Sequence, residues 1–253
     1  MWNIVRASVR GSSHRRSVTP CQDAFDLKLR GKALLVAISD GAGSAAYSDR
    51  GAQGAVAATL AFIEKILSDG EDFTPETGVA IVDSARTRLF ELSEQLEIDV
   101  RELACTLLFA VVQENEAFFG QLGDGAWVMT YGIGLVAVTW PLRGVYANET
   151  TFLTSPDWNS AAKFVKLLGP VESFAGFTDG VQSLALHYAS RSVFQPFFDP
   201  ILTVLREPCA PEALDKQLQE YLSSKGVEER TDDDRTLVVA TRRRFRLLGN
   251  GIH

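Results

Sequence analysis

Four aspartates in this 253-residue sequence stand in short turn-like contexts, each at one end of an apolar run. They are Asp40 in LLVAISDGAGS, Asp124 in FFGQLGDGAWV, Asp179 in FAGFTDGV and Asp233 in TDDDRTLVVA. A strand that ends in Asp-Gly places a carboxylate at the edge of a sheet, beside open backbone. If several such ends meet in space, their oxygens form a site for a hard divalent cation.

A single Asp-Gly pair usually marks no more than a turn. The combination favours a shared function, because Asp40, Asp179 and Asp233 all adjoin strongly apolar strands. A buried carboxylate without a partner is costly there, and a shared cation would offset that cost.

Composition limits the classes of protein that the chain can belong to. Hydrophobic residues make up 46% and charged residues 23%, which is ordinary for a folded soluble protein. The length allows one large domain or two small ones. The net charge of −7 argues against nucleic acid as a partner, and it is compatible with a site that concentrates carboxylates.

The cysteines and the apolar runs indicate a compartment. Cys21, Cys105 and Cys209 are odd in number, widely spaced and without a CxxC pair, which disfavours disulfides and zinc fingers and favours a reducing environment. The N-terminal segment has no apolar signal core, and no run approaches membrane-spanning length. We therefore expect a cytoplasmic protein that does not bind membranes.

The pattern of apolar residues predicts strands first, then helices, then strands again. Strands are expected at 3–9, 24–29 and 32–39, and helices at 48–67 and 75–96. Four short runs then predict a β-meander of hairpins at 103–113, 117–122, 126–131 and 135–139. A strand at 171–177, helices at 192–205 and 212–223 and a closing strand at 236–241 follow. Because strands and helices do not alternate, we expect an α+β fold with two antiparallel sheets and helix pairs outside them.

Six motifs in their order resemble the metal-dependent type 2C protein serine/threonine phosphatases, the PPM family, and above all its bacterial branch. They are CQDAF, ISDGAGS, ACTLLFAVV, GQLGDGAWV, FTDGV and DDRTLVVA. The resemblance covers nearly the whole chain and implies a single domain over residues 1–253. It implies a four-layer αββα sandwich with a metal centre at one end, and a substrate flap within 142–166.

The resemblance also implies metal ligands. Asp40 matches the aspartate that bridges two metals, and Gly41 the residue whose backbone carbonyl binds one of them. Asp179 and Asp233 match the aspartates that hold the other metal, and Asp124 the aspartate of a third, weaker site. The implied cofactors are two or three Mg²⁺ or Mn²⁺ ions. Asp232 and Asp234, on either side of Asp233, are expected to be solvated or to lie just behind the ligands.

One metal position departs from the family pattern. The family commonly has Glu-Asp where this chain has Gln22-Asp23. The neutral Gln22 offers only an amide oxygen. Either Asp23 acts as the ligand there, directly or through a water molecule, or metal affinity is reduced.

The phosphate-binding position departs as well. Val18 stands where the family often has an arginine that binds the substrate phosphate. His14, Arg15 and Arg16 lie upstream and are the candidates for that contact. The alternative is that they form an ordinary solvated basic loop.

Together these residues predict a protein serine/threonine phosphatase in which a metal-activated water attacks the phosphomonoester directly. No GxSxG elbow and no cysteine in a phosphate-binding loop offers a covalent route. The partners would be a phosphorylated protein and, by implication, its serine/threonine kinase. Two alternatives stay open: a phosphatase-like regulatory domain with little turnover, and a purely structural cation site.

Overall fold

Twelve strands and eight α-helices are found in the residues that the structure, a computed structural model, describes: 1–141, 150–207 and 210–243. The strands are β1 (Trp2–Val9), β2 (Ala24–Arg30), β3 (Ala33–Ser39), β4 (Leu107–Val112), β5 (Glu116–Leu122), β6 (Ala126–Tyr131), β7 (Gly134–Ala137), β8 (Lys163–Leu168), β9 (Ser173–Phe177), β10 (Leu186–His187), β11 (Ser192–Val193) and β12 (Arg235–Arg242). The helices are α1 (Ser12–Ser17), α2 (Ser48–Asp69), α3 (Pro75–Leu96), α4 (Trp158–Ala161), α5 (Asp179–Ala185), α6 (Gln195–Arg206), α7 (Pro211–Leu222) and α8 (Lys225–Glu228), with a 3-10 turn at Val100–Leu103.

Ten of the strands form two five-stranded antiparallel sheets. The first has the order β1-β12-β9-β6-β7, and the second has the order β2-β3-β4-β5-β8. A core of buried residues from both sheets, including Val36, Trp127 and Phe174, lies between them. The sheets therefore pack face to face.

Strand β3 shows why the sandwich has helices outside it. All seven of its residues are buried, because side chains alternate between the two faces of the sheet. Leu34, Val36 and Ile38 lie in the core between the sheets, whereas Leu35 and Ala37 lie in the core beneath α2 and α3. On the first sheet, β1 and β12 pack in the same way against α5, α6 and α7.

The structure confirms the predicted α+β class and the two antiparallel sheets with outer helices. The predicted meander is wrong. Strands β4 and β5 pair in the second sheet, but β6 and β7 pair in the first, so the chain crosses between the sheets at Gly123–Gly125. The run at 103–113 also begins as a 3-10 turn, and the predicted helix at 192–205 begins with β11.

Three further features bear on the sequence predictions. The basic stretch at 12–17 forms helix α1, and α5 begins at Asp179; the sequence analysis predicted neither helix. Of the predicted flap, residues 142–149 lie outside the described residues. Over the described ranges, no helix combines the length and the apolar character that crossing a bilayer requires.

Candidate metal centre

Asp40 is held at the end of β3 by the neighbouring strand. Its N–H donates to Oγ1 of Thr106 (3.0 Å), and its carbonyl accepts from the Thr106 N–H (2.8 Å). The next residue, Gly41, donates its N–H to the carbonyl of Gln22 (3.2 Å). A Cβ at Gly41 would lie 2.8 Å from that carbonyl oxygen, so only glycine allows the 22–23 segment to approach Asp40 this closely.

Asp179 is the first residue of α5 and follows β9 directly. Its position depends on Gly180, where a Cβ would overlap the carbonyl oxygen of Asp234. The preceding Thr178 accepts a hydrogen bond from the Thr236 N–H (3.0 Å) and donates one to the carboxylate of Asp23 (2.9 Å). These contacts bring the start of α5 against the loop that precedes β12.

Asp124 occupies the turn that crosses between the sheets. The buried amide of Gln121 donates to the carbonyls of Gly123 (3.1 Å) and Gly125 (2.7 Å) and so fixes the turn on both sides of Asp124. Gln182 of α5 donates to the Asp124 carbonyl, and the Thr150 hydroxyl donates to its carboxylate (2.6 Å).

These three loops bring three of the predicted aspartates together. Oxygens of Asp40, Asp124 and Asp179 all lie within 4.8 Å of one another. Burial raises the pKa of Asp40 well above its usual range, and the charges of Asp23, Asp179, Asp124 and Asp233 add to this effect. Burial, followed by the charges of Asp124 and Asp233, raises the pKa of Asp179 to about 7. The site is therefore strongly electronegative.

Asp23 and Asp233 border the same site. Asp23 is buried, and burial raises its pKa to about 8 although hydrogen bonds from Thr236 and Thr178 favour the charged form. Burial also raises the pKa of Asp233, and the charge of His14 opposes this shift. All five predicted carboxylates thus lie in or beside one cluster.

The unsatisfied oxygens of the site match the chemistry of a hard cation. Within the described residues, Oε1 of Gln22, Oδ1 of Asp23 and Oδ1 of Asp179 are buried and accept no hydrogen bond. Buried polar atoms without partners are rare in folded proteins. Because the donors are carboxylate and amide oxygens, Mg²⁺ or Mn²⁺ fits this site better than a soft metal does.

Asp234 lies behind the cluster and anchors the chain that carries Gln22 and Asp23. Its buried carboxylate accepts the N–H groups of Gly11 and Gln22, each at 2.6 Å. By contrast, the Asp232 side chain is 66% exposed. Sequence patterns did not distinguish Asp232 from Asp234. The sequence analysis also missed two supporting hydroxyl groups: Thr178 immediately precedes Asp179, and Thr106 bonds to the backbone of Asp40 from the neighbouring strand.

Comparisons with known proteins identify the family of the chain. The sequence model of the protein phosphatase 2C family matches residues 10–223, which include Asp23, Asp40, Asp124 and Asp179 but not Asp233 or Asp234. The sequence is also 36% identical, over 248 residues, to serine/threonine-protein phosphatase 3 of Escherichia coli K12, covering 94% of this chain and 98% of that protein. The chain belongs to the protein phosphatase 2C family.

Solved structures share the fold of this phosphatase 2C member. A bacterial serine phosphatase superposes with a TM-score of 0.64 at 12% identity, covering 95% of this chain and 98% of that one. The phosphatase Stp1 of Staphylococcus aureus gives 0.63 at 12% identity, covering 96% of each chain. RsbX in complex with magnesium gives 0.57 at 16% identity, covering 95% of this chain and 94% of that one.

The predicted phosphate-binding residues of this phosphatase 2C member lie on α1. His14 Nδ1 is 2.9 Å from the Asp234 carboxylate, Arg15 pairs with Glu228, and Arg16 pairs with Asp232 at 3.2 Å. Val18 ends the helix with a left-handed backbone (φ 61°) and is 83% exposed. The basic residues therefore form an ordered helix beside the Asp233 side of the cluster.

Proposed function

We propose that this chain is a metal-dependent phosphatase of phosphoserine and phosphothreonine in proteins. Asp40, Asp124, Asp179 and Asp233 would hold two or three Mg²⁺ or Mn²⁺ ions, together with the Gly41 carbonyl. Asp23 would act as the metal ligand where Gln22 replaces the usual glutamate. When bound, such ions lower the pKa of water and neutralise charge on phosphoryl oxygens.

The protein's own contribution is to assemble and protect the cluster. Thr106 fixes the backbone of Asp40, and Gly180 lets the start of α5 lie against Asp234, so the backbone that carries Asp40 and Asp179 is in place before a cation binds. The burial that raises the pKa of Asp40 also strengthens its attraction to a cation. The cluster would be charged once cations are present.

Helix α1 would bind the substrate phosphate. Arg16 and its partner Asp232 are 69% and 66% exposed, and such surface pairs contribute only about 0–1 kcal/mol. A phosphate could therefore replace Asp232 at little cost. His14 lies against Asp234, the neighbour of Asp233 in sequence, and would add a second donor.

The convergence of Asp40, Asp124 and Asp179 within 4.8 Å is the observation that carries the proposal. The name of the E. coli relative supports protein serine and threonine residues as the source of the phosphate. A kinase that phosphorylates the same protein follows from that chemistry. The free thiols of Cys21 and Cys105 support a reducing compartment such as the cytoplasm.

The test is phosphate release from a phosphothreonine peptide in the presence of Mn²⁺. Asp40→Asn and Asp179→Asn should each lower kcat/KM by about 100-fold or more, because each removes a ligand from the site. Asp72→Asn is the matched control, since Asp72 is exposed and lies on the loop between α2 and α3. Activity that survives both cluster substitutions would reject the assignment.

A second candidate, a regulatory domain with little turnover, is favoured by one observation. Gln22 replaces a carboxylate with an amide whose buried oxygen has no hydrogen-bond donor among the described residues. On this hypothesis the wild type binds phosphopeptides without Mn²⁺-dependent release of phosphate. Gln22→Glu should then increase Mn²⁺ affinity, measured by calorimetry, and the matched Gln113→Glu variant should not.

A further inference from the structure

Two cations lie beside the Asp124 turn and take no part in the metal centre. Lys163 is the first residue of β8, and it pairs in register with Gln121 of β5. Its ammonium donates to the carbonyl of Trp140 (3.4 Å), and the same carbonyl accepts from the Gln121 amide (3.2 Å). Because Gln121 also fixes the Asp124 turn, Lys163 is linked to that turn through a single side chain.

Arg191 approaches the same place from the two-stranded β10–β11 sheet. It ends the four-residue turn between β10 and β11, and its guanidinium lies 5.8 Å from the centre of the Trp140 ring. The Trp140 ring in turn packs edge-on against Tyr188 (5.7 Å). Tyr188 donates to Gln182, and Gln182 donates to the Asp124 carbonyl. Trp140 therefore connects this surface with the Asp124 turn in two ways, through the Gln121 amide on its carbonyl and through ring contacts that lead to Tyr188 and Gln182.

The positive charges of Lys163 and Arg191 lie close enough to affect each other. Burial lowers the pKa of the partly buried Lys163, and the charge of Arg191 lowers it further. In the parts of the chain that the structure describes, neither side chain forms an ion pair, whereas other cations such as Arg6, Arg15 and Lys28 do. Like charges held together in this way attract an anion.

The backbone of Arg191 is a second, independent indication. Its φ of 47° lies in the left-handed region, which costs an arginine of the order of 1 kcal/mol, and glycine is the usual residue at the end of such hairpin turns. Val18 and Glu97 have the same backbone conformation where helices α1 and α3 end, whereas Arg191 adopts it in an exposed hairpin turn. Strain of this kind clusters at functional sites, which fits a binding role for the Arg191 guanidinium.

We propose that Lys163, Arg191 and the Trp140 ring form an anion subsite for an acidic side chain next to the phosphorylated residue of the substrate. This inference rests on the proposed phosphatase function and names a substrate class for it, namely phosphopeptides with flanking acidic residues. Arg191 supplies a planar donor pair for a carboxylate, Lys163 supplies a point charge, and Trp140 supports the guanidinium.

The test compares two phosphothreonine peptides, one with two aspartates on each side of the phosphothreonine and one with two alanines. Wild type should prefer the acidic peptide in kcat/KM. Lys163→Gln and Arg191→Gly should each reduce that preference about threefold, because a partly exposed charge pair contributes an effect of about that size. Hydrolysis of p-nitrophenyl phosphate, which carries no acidic side chain, should not change. Arg191→Gly relieves the left-handed strain, so it should fold at least as well as wild type.

The matched control is Lys65→Gln, which removes an exposed positive charge from the C-terminal half of α2. Equal rates on both peptides, or variants that keep the full preference, would overturn the subsite. Fluorescence anisotropy with non-hydrolysable phosphonate versions of both peptides gives a readout that does not need turnover. A protein that hydrolyses nothing would reject the proposed phosphatase, and the anisotropy difference between wild type and Arg191→Gly would still decide the subsite.

Discussion

At the scale of single residues, Asp234 joins the N-terminal segment to the candidate metal centre. Its carboxylate accepts two backbone N–H groups and lies 2.9 Å from His14 Nδ1. Asp234→Ala should lower the free energy of unfolding by about 2–4 kcal/mol, because two buried N–H groups lose a charged acceptor. Urea denaturation of the metal-free protein measures this loss.

Asp232→Ala is the control for this prediction. Asp232 belongs to the same acidic run, but its side chain is two-thirds exposed, and among the described residues its ion pair is with Arg16. Its removal should change stability by less than about 0.5 kcal/mol. Equal losses in the two variants would show that Asp234 does not anchor the segment.

The sequence predicts some of these residues and not others for a physical reason. Asp40, Asp124 and Asp179 each precede a glycine at one end of an apolar run, and that combination is visible without a structure. In the run from Asp232 to Asp234, no aspartate is followed by a glycine. Which carboxylate points into the protein there depends on the segment at 11–22, and contacts between positions so distant in sequence leave no local pattern.

At the scale of elements, the start of α5 determines where Asp179 lies. Gly180 is packed against the backbone of Asp234, so Gly180→Ala must push α5 away from the loop that carries Asp233. We expect a loss of about 1–3 kcal/mol in stability, as for other overpacked sites, and weaker Mn²⁺ binding. Thermal unfolding and Mn²⁺ calorimetry measure the two effects.

Gly226→Ala is the matched control for that prediction. Gly226 lies in helix α8, and a Cβ there would meet no atom within 4 Å. Alanine should leave Mn²⁺ affinity unchanged and stabilise the protein by up to about 1 kcal/mol. If Gly180→Ala behaved in the same way, the close approach of α5 to Asp234 would not determine the site.

The elements themselves follow from local patterns more readily than their pairing does. The long helices α2 and α3 show a helical repeat of apolar residues, and the sequence predicts both. In the four short runs after them, apolar and polar residues show the same pattern whether two neighbouring strands pair in one sheet or belong to different sheets. Only the packing of the two sheets sends β6 away from β5, and that step places Asp124 in the turn between them.

At the scale of the whole molecule, the carboxylate cluster of the candidate metal centre makes folding depend on pH. Burial and mutual repulsion raise the pKa values of Asp23, Asp40, Asp179 and Asp233 in the folded protein, to about 8 for Asp23 and about 7 for Asp179. Their usual value is 3.8. Between these values the folded chain binds more protons than the unfolded chain, so stability decreases as pH rises. The stabilisation is fully present below about pH 4, and it is lost as pH rises through about 7 for Asp179 and about 8 for Asp23.

The metal-free protein should therefore melt at a lower temperature at pH 8.5 than at pH 5.5. Hydrogen bonds from lysines lower the pKa values of Glu64 and Glu114 below 4.5, so these two groups make stability rise with pH. They do so only in the acidic range, below the interval from pH 5.5 to 8.5. Saturating Mg²⁺ should raise the Tm more at pH 8.5, because the cation binds the ionised cluster. Asp179→Asn should flatten the decrease, whereas Asp72→Asn should not. If the Tm of the metal-free protein stayed constant or rose with pH, the raised pKa values of the clustered carboxylates would be contradicted.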